Sequence, residues 1–320
     1  FAADREVASF SPVFPAVTTT AQATYLTGRS PAEHGIVGNG WYEREDAEIR
    51  FWKQSNRLVH GEKLWEAVRR EREGFRCAKM FWWYNMYSSA DWSVTPRPMY
   101  PADGRKVFDV YAHPPGLRDE LAGHLGEFPF PGFWGPRAGL PSSQWIADSA
   151  RWIEEREEPD LNLVYLPHLD YGLQRWGPGA PEMEAEYEAI DRLVDELISF
   201  FLKRGVEVVL LSEYGISKVR QPVHLNRIFR EKGWIQIKNE LGLELLDAGA
   251  SRAFAVADHQ VAHVYVRDES IRKEVRGVVE STEGVAEVRE NWFGEGIGGQ
   301  RGGDFVAVSA PGAWFTYYYW

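Results

Sequence analysis

Thr18-Thr19-Thr20, Asp170 and Glu213 are polar residues placed just past apolar runs. The triplet follows FPAV, Asp170 follows LNLVYLP at 161–167, and Glu213 follows VEVVLLS at 206–212. The last two runs read as buried strands of a parallel sheet. In open α/β sheets, ligands bind beyond the carboxyl ends of the strands. A hydroxyl and two carboxylates meeting there would form a polar site able to hold and react with a ligand. Each residue also has an ordinary alternative. Thr18 to Thr20 could cap a helix, Asp170 could serve a turn or a cap, and Glu213 could be a solvated loop charge. Only their joint placement favours chemistry.

The elements that must position these residues alternate along the chain. Residues 7–18 read as extended and broken by Pro12 and Pro15. A helix is expected over 19–27, with Thr18 or Thr19 at its N-cap and Gly28 closing it. Residues 29–50 read as a loop, 63–73 as an amphipathic helix and 75–83 as a strand. Residues 84–143, rich in Pro, Gly and aromatics, read as an irregular, substrate-facing insertion. Helices at 143–156 and 182–204 alternate with strands at 161–167 and 206–212. That alternation predicts an α/β fold: a mostly parallel central sheet with helices on both faces. Strands at 262–266 and 304–310, with a helix over 271–280, predict a smaller α+β accessory region at about 215–300. The expectation is a single domain over 1–320.

Composition removes several classes of function. The 320 residues carry a net charge of −11, which argues against a broad basic face for a nucleic-acid duplex. A small anionic substrate remains compatible where a local cation or metal reverses the sign. The single cysteine, Cys77, excludes an intrachain disulfide and a Cys-based metal site. With no visible signal sequence, it gives the expectation of a cytoplasmic protein. No apolar run approaches ~18 residues, so no spanning helix is expected. The chain starts at Phe1 and stops inside FTYYYW, and both ends read as cut. The aromatic stretch from Phe81 to Tyr100 either lines a pocket suited to a flat group such as a nucleobase or packs as an insertion over the core.

The segment FPAVTTTAQATYLTGRSPAEHGIVGNGWY resembles the nucleotide pyrophosphatase/phosphodiesterase branch of the alkaline phosphatase superfamily. Phe14, Pro15, Thr18, Thr27, Gly28, Pro31, His34, Gly35, Ile36, Asn39 and Tyr42 fit that family's pattern without a gap. LPHLDYGLQRWGP and LLSEYGI resemble two further family blocks, in the expected order. The resemblance implies a phosphohydrolase using two divalent metal ions, usually zinc, with Thr18 as nucleophile at a helix N-terminus that favours phosphate. It implies a small phosphorylated, nucleotide-like substrate. Asp170 and Glu213 would bind metal, and Gln22, His34, Asn39 and Gln174 would face the substrate.

Departures from the pattern fall on the ligands. Gln174 and Tyr214 stand where the family has metal-binding histidines, and Ala21 and Gln22 replace an Asn and a His beside the nucleophile. By the resemblance, the family's first metal Asp would precede Phe1 and its last His would follow Trp320. Zinc prefers imidazole, whereas oxygen-rich ligation suits Mg²⁺ or Mn²⁺. His168 could replace a lost imidazole, on the same face as Asp170 if the strand continues. His259 and His263, four apart, are further candidate ligands on a β-segment or flanking a turn. His34 reads as a loop-structuring residue or a phosphate donor. Two functions stay open: a metal-dependent hydrolase of phosphorus esters, and a member that kept the fold as a binding protein.

Overall fold

The run of threonines at the start of the first helix is unusual, because β-branched residues are weak helix formers. Burial compensates: Thr18 to Ala23 are all buried. In the computed structural model, which describes residues 7–103 and 105–320, this helix is α1 (Thr18–Thr27). Thr18 is its first helical residue, and the extended Val17 occupies the N-cap position with no side-chain cap. The expected threonine cap is therefore not formed. Gly28 does close the helix, at φ +62°, its N–H donating to the Thr24 carbonyl. This left-handed conformation favours glycine.

The region read as a loop holds α2 (Pro31–His34), β1 (Gly40–Glu43) and β2 (Glu48–Phe51). Next come α3 (Leu64–Glu71), β3 (Cys77–Met80), β4 (Trp92–Met99), β5 (Val107–His113) and α4 (Leu117–Leu125). The stretch read as irregular thus contains a hairpin and a helix. Then follow α5 (Leu140–Glu157), β6 (Leu161–Val164), α6 (His168–Trp176) and α7 (Met183–Lys203). After them lie β7 (Gln221–Val223), α8 (Leu225–Glu231), β8 (Gln236–Glu240), β9 (Leu243–Asp247), β10 (Ala253–Asp258) and β11 (Val261–Val266). The last elements are α9 (Arg272–Ser281), β12 (Val285–Glu290), α10 (Ile297–Arg301), β13 (Phe305–Ser309) and β14 (Ala313–Phe315).

The chain divides into two compact units. The first comprises Gln54–Leu58 and Glu62–Ile216, with the stretch that ends at Ser11. Its sheet runs β5-β4-β3-β6: β3 is parallel to β4 and to β6, and β5 is antiparallel to β4. Around it Phe81, Phe128, Phe133 and Trp145 form an aromatic core, with Ile146, Ile153, Leu193 and Leu197 from α5 and α7. Phe81, Trp83 and Tyr84 are buried, so this part of the aromatic stretch packs as core rather than lining a pocket.

Residues 206–212 were expected to form a buried strand here. They make no ladder, β6 has a strand partner on one side only, and Val209 is 74% exposed. An apolar run becomes a strand only when its backbone finds a neighbour, and no strand pairs with this one among the described residues.

The second unit comprises Pro12–Lys53, Val59–Gly61 and Ser217–Trp320. Its largest sheet is antiparallel, in the order β10-β11-β13-β12. Every residue of β10 and β11 is buried, and Phe254, Tyr265, Val275 and Phe305 anchor the core. The parallel pairing expected of one central sheet is thus confined to three strands of the first unit and the short β7–β14 pair of the second. The fold is mixed α/β.

Candidate active site

Thr18, Gln22, His34, Asn39, His259 and His263 lie in the second unit; His168, Asp170, Gln174 and Glu213 lie in the first. In the second unit the geometry is built around the N-terminus of α1. A helix start leaves its first amides without intrahelical partners. The Thr19 N–H meets Asn39 Oδ1 at 3.2 Å, and Thr19 Oγ1 donates to the Gly38 carbonyl at 2.8 Å. Asn39 donates twice to Asp258, from its backbone N–H at 2.7 Å and from Nδ2 at 3.1 Å. Gln22 is buried in α1. The Thr20 hydroxyl is buried with no hydrogen-bond partner among the described residues, a costly arrangement.

His34 is a structural residue in this arrangement. Its Nδ1 accepts from the Ile36 N–H at 3.0 Å, so Nε2 carries the proton and faces Thr24 Oγ1 at 3.0 Å. The Thr24 hydroxyl in turn donates to the Thr20 carbonyl. Burial lowers the His34 pKa to about 4, so the ring is neutral at physiological pH.

Both ring nitrogens of His263 are also occupied. Nδ1 accepts from the Gly303 N–H at 3.1 Å, and Nε2 faces the Val37 carbonyl at 3.0 Å. Burial lowers its pKa to about 4. No lone pair remains for a metal, so His263 clamps a loop. His259 sits at the β10–β11 turn with φ +59° and a half-exposed ring. It does not share a ligand set with His263.

In the first unit, the chain leaves β6 and turns into a helix rather than continuing as a strand. His168 and Asp170 therefore lie two apart on α6, on different faces. His168 is buried, with Nε2 2.7 Å from Glu186 Oε2. Burial holds its pKa down. Asp170 and Gln174 are one turn apart, and Gln174 Nε2 donates to Asp170 Oδ2 at 2.8 Å. Tyr214 Oη donates to Asp170 Oδ1 at 3.1 Å. Half-buried Tyr165 lies near Glu213, Tyr214 and Asp170, and desolvation, followed by those neighbours, raises its pKa well above the ordinary range.

This donor set does not fit a zinc site. Both oxygens of Asp170 accept from neutral donors, an amide and a phenol, that stand where a metal would need to bind. Neutral phenol and amide are also poor replacements for imidazole. Among the described residues, no three His, Cys, Asp or Glu side chains gather closely enough to hold a metal ion. Asp258 and the Tyr214–Asp170 bond are the features the sequence did not reveal. Asp258 lies 219 positions from Asn39, and no local pattern marks so distant a pair.

The model of the family described as type I phosphodiesterase / nucleotide pyrophosphatase matches residues 3–320. The chain belongs to that family. An uncharacterized pyrophosphatase/phosphodiesterase of Schizosaccharomyces pombe is 26% identical to this family member over 216 residues, 64% of this chain and 37% of the relative. Human ectonucleotide pyrophosphatase/phosphodiesterase family member 1 is 21% identical, over 68% of this chain and 20% of its own length. The chain thus spans well under half of these curated relatives. Among solved structures, phosphonoacetate hydrolase of Sinorhizobium meliloti 1021, in complex with phosphonoacetate, superposes with TM-score 0.64 at 18% identity, covering 96% of this chain and 73% of that one. An inactive form of murine ectonucleotide pyrophosphatase / phosphodiesterase 5, in complex with AMP, gives 0.62 at 14% identity, covering 97% and 71%. These likenesses show an alkaline phosphatase-type fold.

Proposed function

We propose that this chain hydrolyses phosphodiester, pyrophosphate or related phosphorus-ester bonds, with Thr18 as the nucleophile. The observation that carries this reading is the position of Thr18. It is the first residue of α1, next to Thr19, whose amide and hydroxyl are both tied to the Gly38–Asn39 loop. A helix start offers outward amide N–H groups and a positive dipole end to a phosphoryl group. The Thr18 oxygen would form the bond to phosphorus, its proton lost to solvent, as the bond to the ester oxygen breaks and that oxygen leaves as an anion or takes a proton from water. A water molecule would then break the Thr18–phosphorus bond, returning the hydroxyl and releasing the phosphoryl group. Neighbours of the same fold bind phosphonoacetate and AMP, which supports a small phosphorylated substrate. No step is assigned to a metal here, because the Asp170 donor set does not fit one.

The test is Thr18→Ala, assayed on an aryl phosphodiester with and without added divalent cations. Turnover should fall by ~10³-fold or more, with an unchanged melting temperature. Turnover equal to that of the parent chain would remove Thr18 from the chemistry. A second reading, a ligand-binding member without hydrolysis, draws on the engaged Asp170 carboxylate. It requires that the parent chain bind AMP in calorimetry yet turn over no phosphodiester under any metal condition.

A further inference from the structure

We propose that Asp258 is a positioning residue that sets the amide orientation of Asn39 and, through it, locates the N-terminus of α1. This inference rests on the reading of Thr18 as nucleophile. The two ends of an Asn amide are nearly the same in shape, so the surrounding hydrogen bonds decide which way it points. Here Asp258 accepts from Asn39 twice, while Asn39 Oδ1 accepts from the Thr19 N–H. Turning the amide over would set an oxygen against the carboxylate and an NH₂ against the Thr19 N–H. With both of its oxygens accepting from Asn39, Asp258 admits one orientation of the amide and keeps an acceptor under Thr19.

The packing leaves little slack. Asp258 is 5% exposed and Asn39 3%. A Cβ on Gly38 would lie 3.0 Å from Asp258 Oδ2 and 3.5 Å from His263 Nε2, so the loop backbone sits directly against both side chains. Val37 is held by His263, and Asn39 by Asp258. Gly38 and Asn39 then hold the hydroxyl and the amide of Thr19. The β10–β11 hairpin therefore fixes the loop, and the loop fixes the residue next to Thr18.

The experiment uses two variants. Asp258→Asn places an NH₂ where only acceptors stood, so either Asn39 or Thr19 loses a partner. Combining it with Asn39→Asp restores all three hydrogen bonds and reverses only the one between the two side chains: the new carboxylate accepts from Thr19 and from the new amide, whose oxygen accepts from the residue 39 N–H. Hydrogen exchange at the Thr19 amide is the primary reading, with kcat and KM measured separately for Asp258→Asn.

Asp258→Asn should expose the Thr19 amide to exchange while amides of β11 and β13 stay protected. It should lower kcat by about ten- to a hundredfold with a smaller change in KM, and the double variant should regain Thr19 protection. Exchange at Thr19 that merely follows unfolding of the whole chain, or that is unchanged in Asp258→Asn, would overturn the proposal. If Asp258→Asn does not fold, the double variant decides. A folded chain with a protected Thr19 amide supports the clamp, and failure to recover refutes it. If no form turns over an aryl phosphodiester, the Thr18 reading fails, while the exchange result still judges the clamp.

Discussion

Lys79 is the least solvated cation in the first unit. It lies on β3 with no exposed surface, its Nζ 3.4 Å from the Tyr84 carbonyl and 5.0 Å from the Trp65 ring centroid. Burial lowers its pKa from 10.5 to about 7, with smaller opposing effects from Cys77 and Glu66 and a further lowering from Lys63. The sign follows from proton counting. Below about pH 7 the amine is charged in both folded and unfolded chains, and its burial weakens the fold. Between about pH 7 and 10.5 the unfolded chain binds a proton that the folded chain does not, so stability from this residue rises with pH. Lys79→Met removes the dependence. The unfolding free energy of the parent chain minus that of the variant should rise by about 2 kcal/mol from pH 7.5 to pH 9. Denaturant titrations at the two pH values measure it, and a flat difference would mean that Lys79 stays charged in the folded chain.

Elements whose signals are local were legible, and those that depend on distant partners were not. α1 was marked by Gly28, and α7 and α9 by apolar periodicity closed by polar or glycine residues. The β4–β5 hairpin was hidden because Pro96 and Pro98 argue against a strand. The ladder explains them: β3 pairs β4 only over Trp92–Val94, so beyond that point no strand among the described residues pairs that side of β4, and a missing N–H there breaks no ladder bond. The start of α6 was missed because the apolar run was read through Pro167, although an Asp in the first turn marks a helix start.

The converse error concerns 206–212, where composition suggested a buried strand and the segment joins no ladder among the described residues. Val209, Leu210 and Leu211 are exposed at 74%, 59% and 48%. An apolar segment with unpaired backbone tends to associate with other chains. Val209→Lys should reduce self-association in light scattering while changing stability by no more than ~0.5 kcal/mol. A larger loss of stability would show that this face is covered in solution.

At the scale of the whole molecule, the question is whether a chain with the family's fold also depends on the family's metal. A metal bound by the native state alone stabilises it by mass action, by about 4 kcal/mol at a thousandfold excess over Kd. Chelation would then lower the melting temperature. The ligand positions here argue against that dependence: Asp170 is held by Gln174 and Tyr214, and His263 has no lone pair to give. The expected outcome is the same melting temperature with a chelator, with Zn²⁺ and with Mg²⁺, and no stoichiometric metal by elemental analysis. Replacing both Gln174→His and Tyr214→His removes the two neutral donors from Asp170 and returns two imidazoles. That double variant should gain a zinc-dependent rise in melting temperature. Stoichiometric metal in the parent chain that disappears in Asp170→Asn would instead mean that the carboxylate exchanges its phenol and amide partners for a cation.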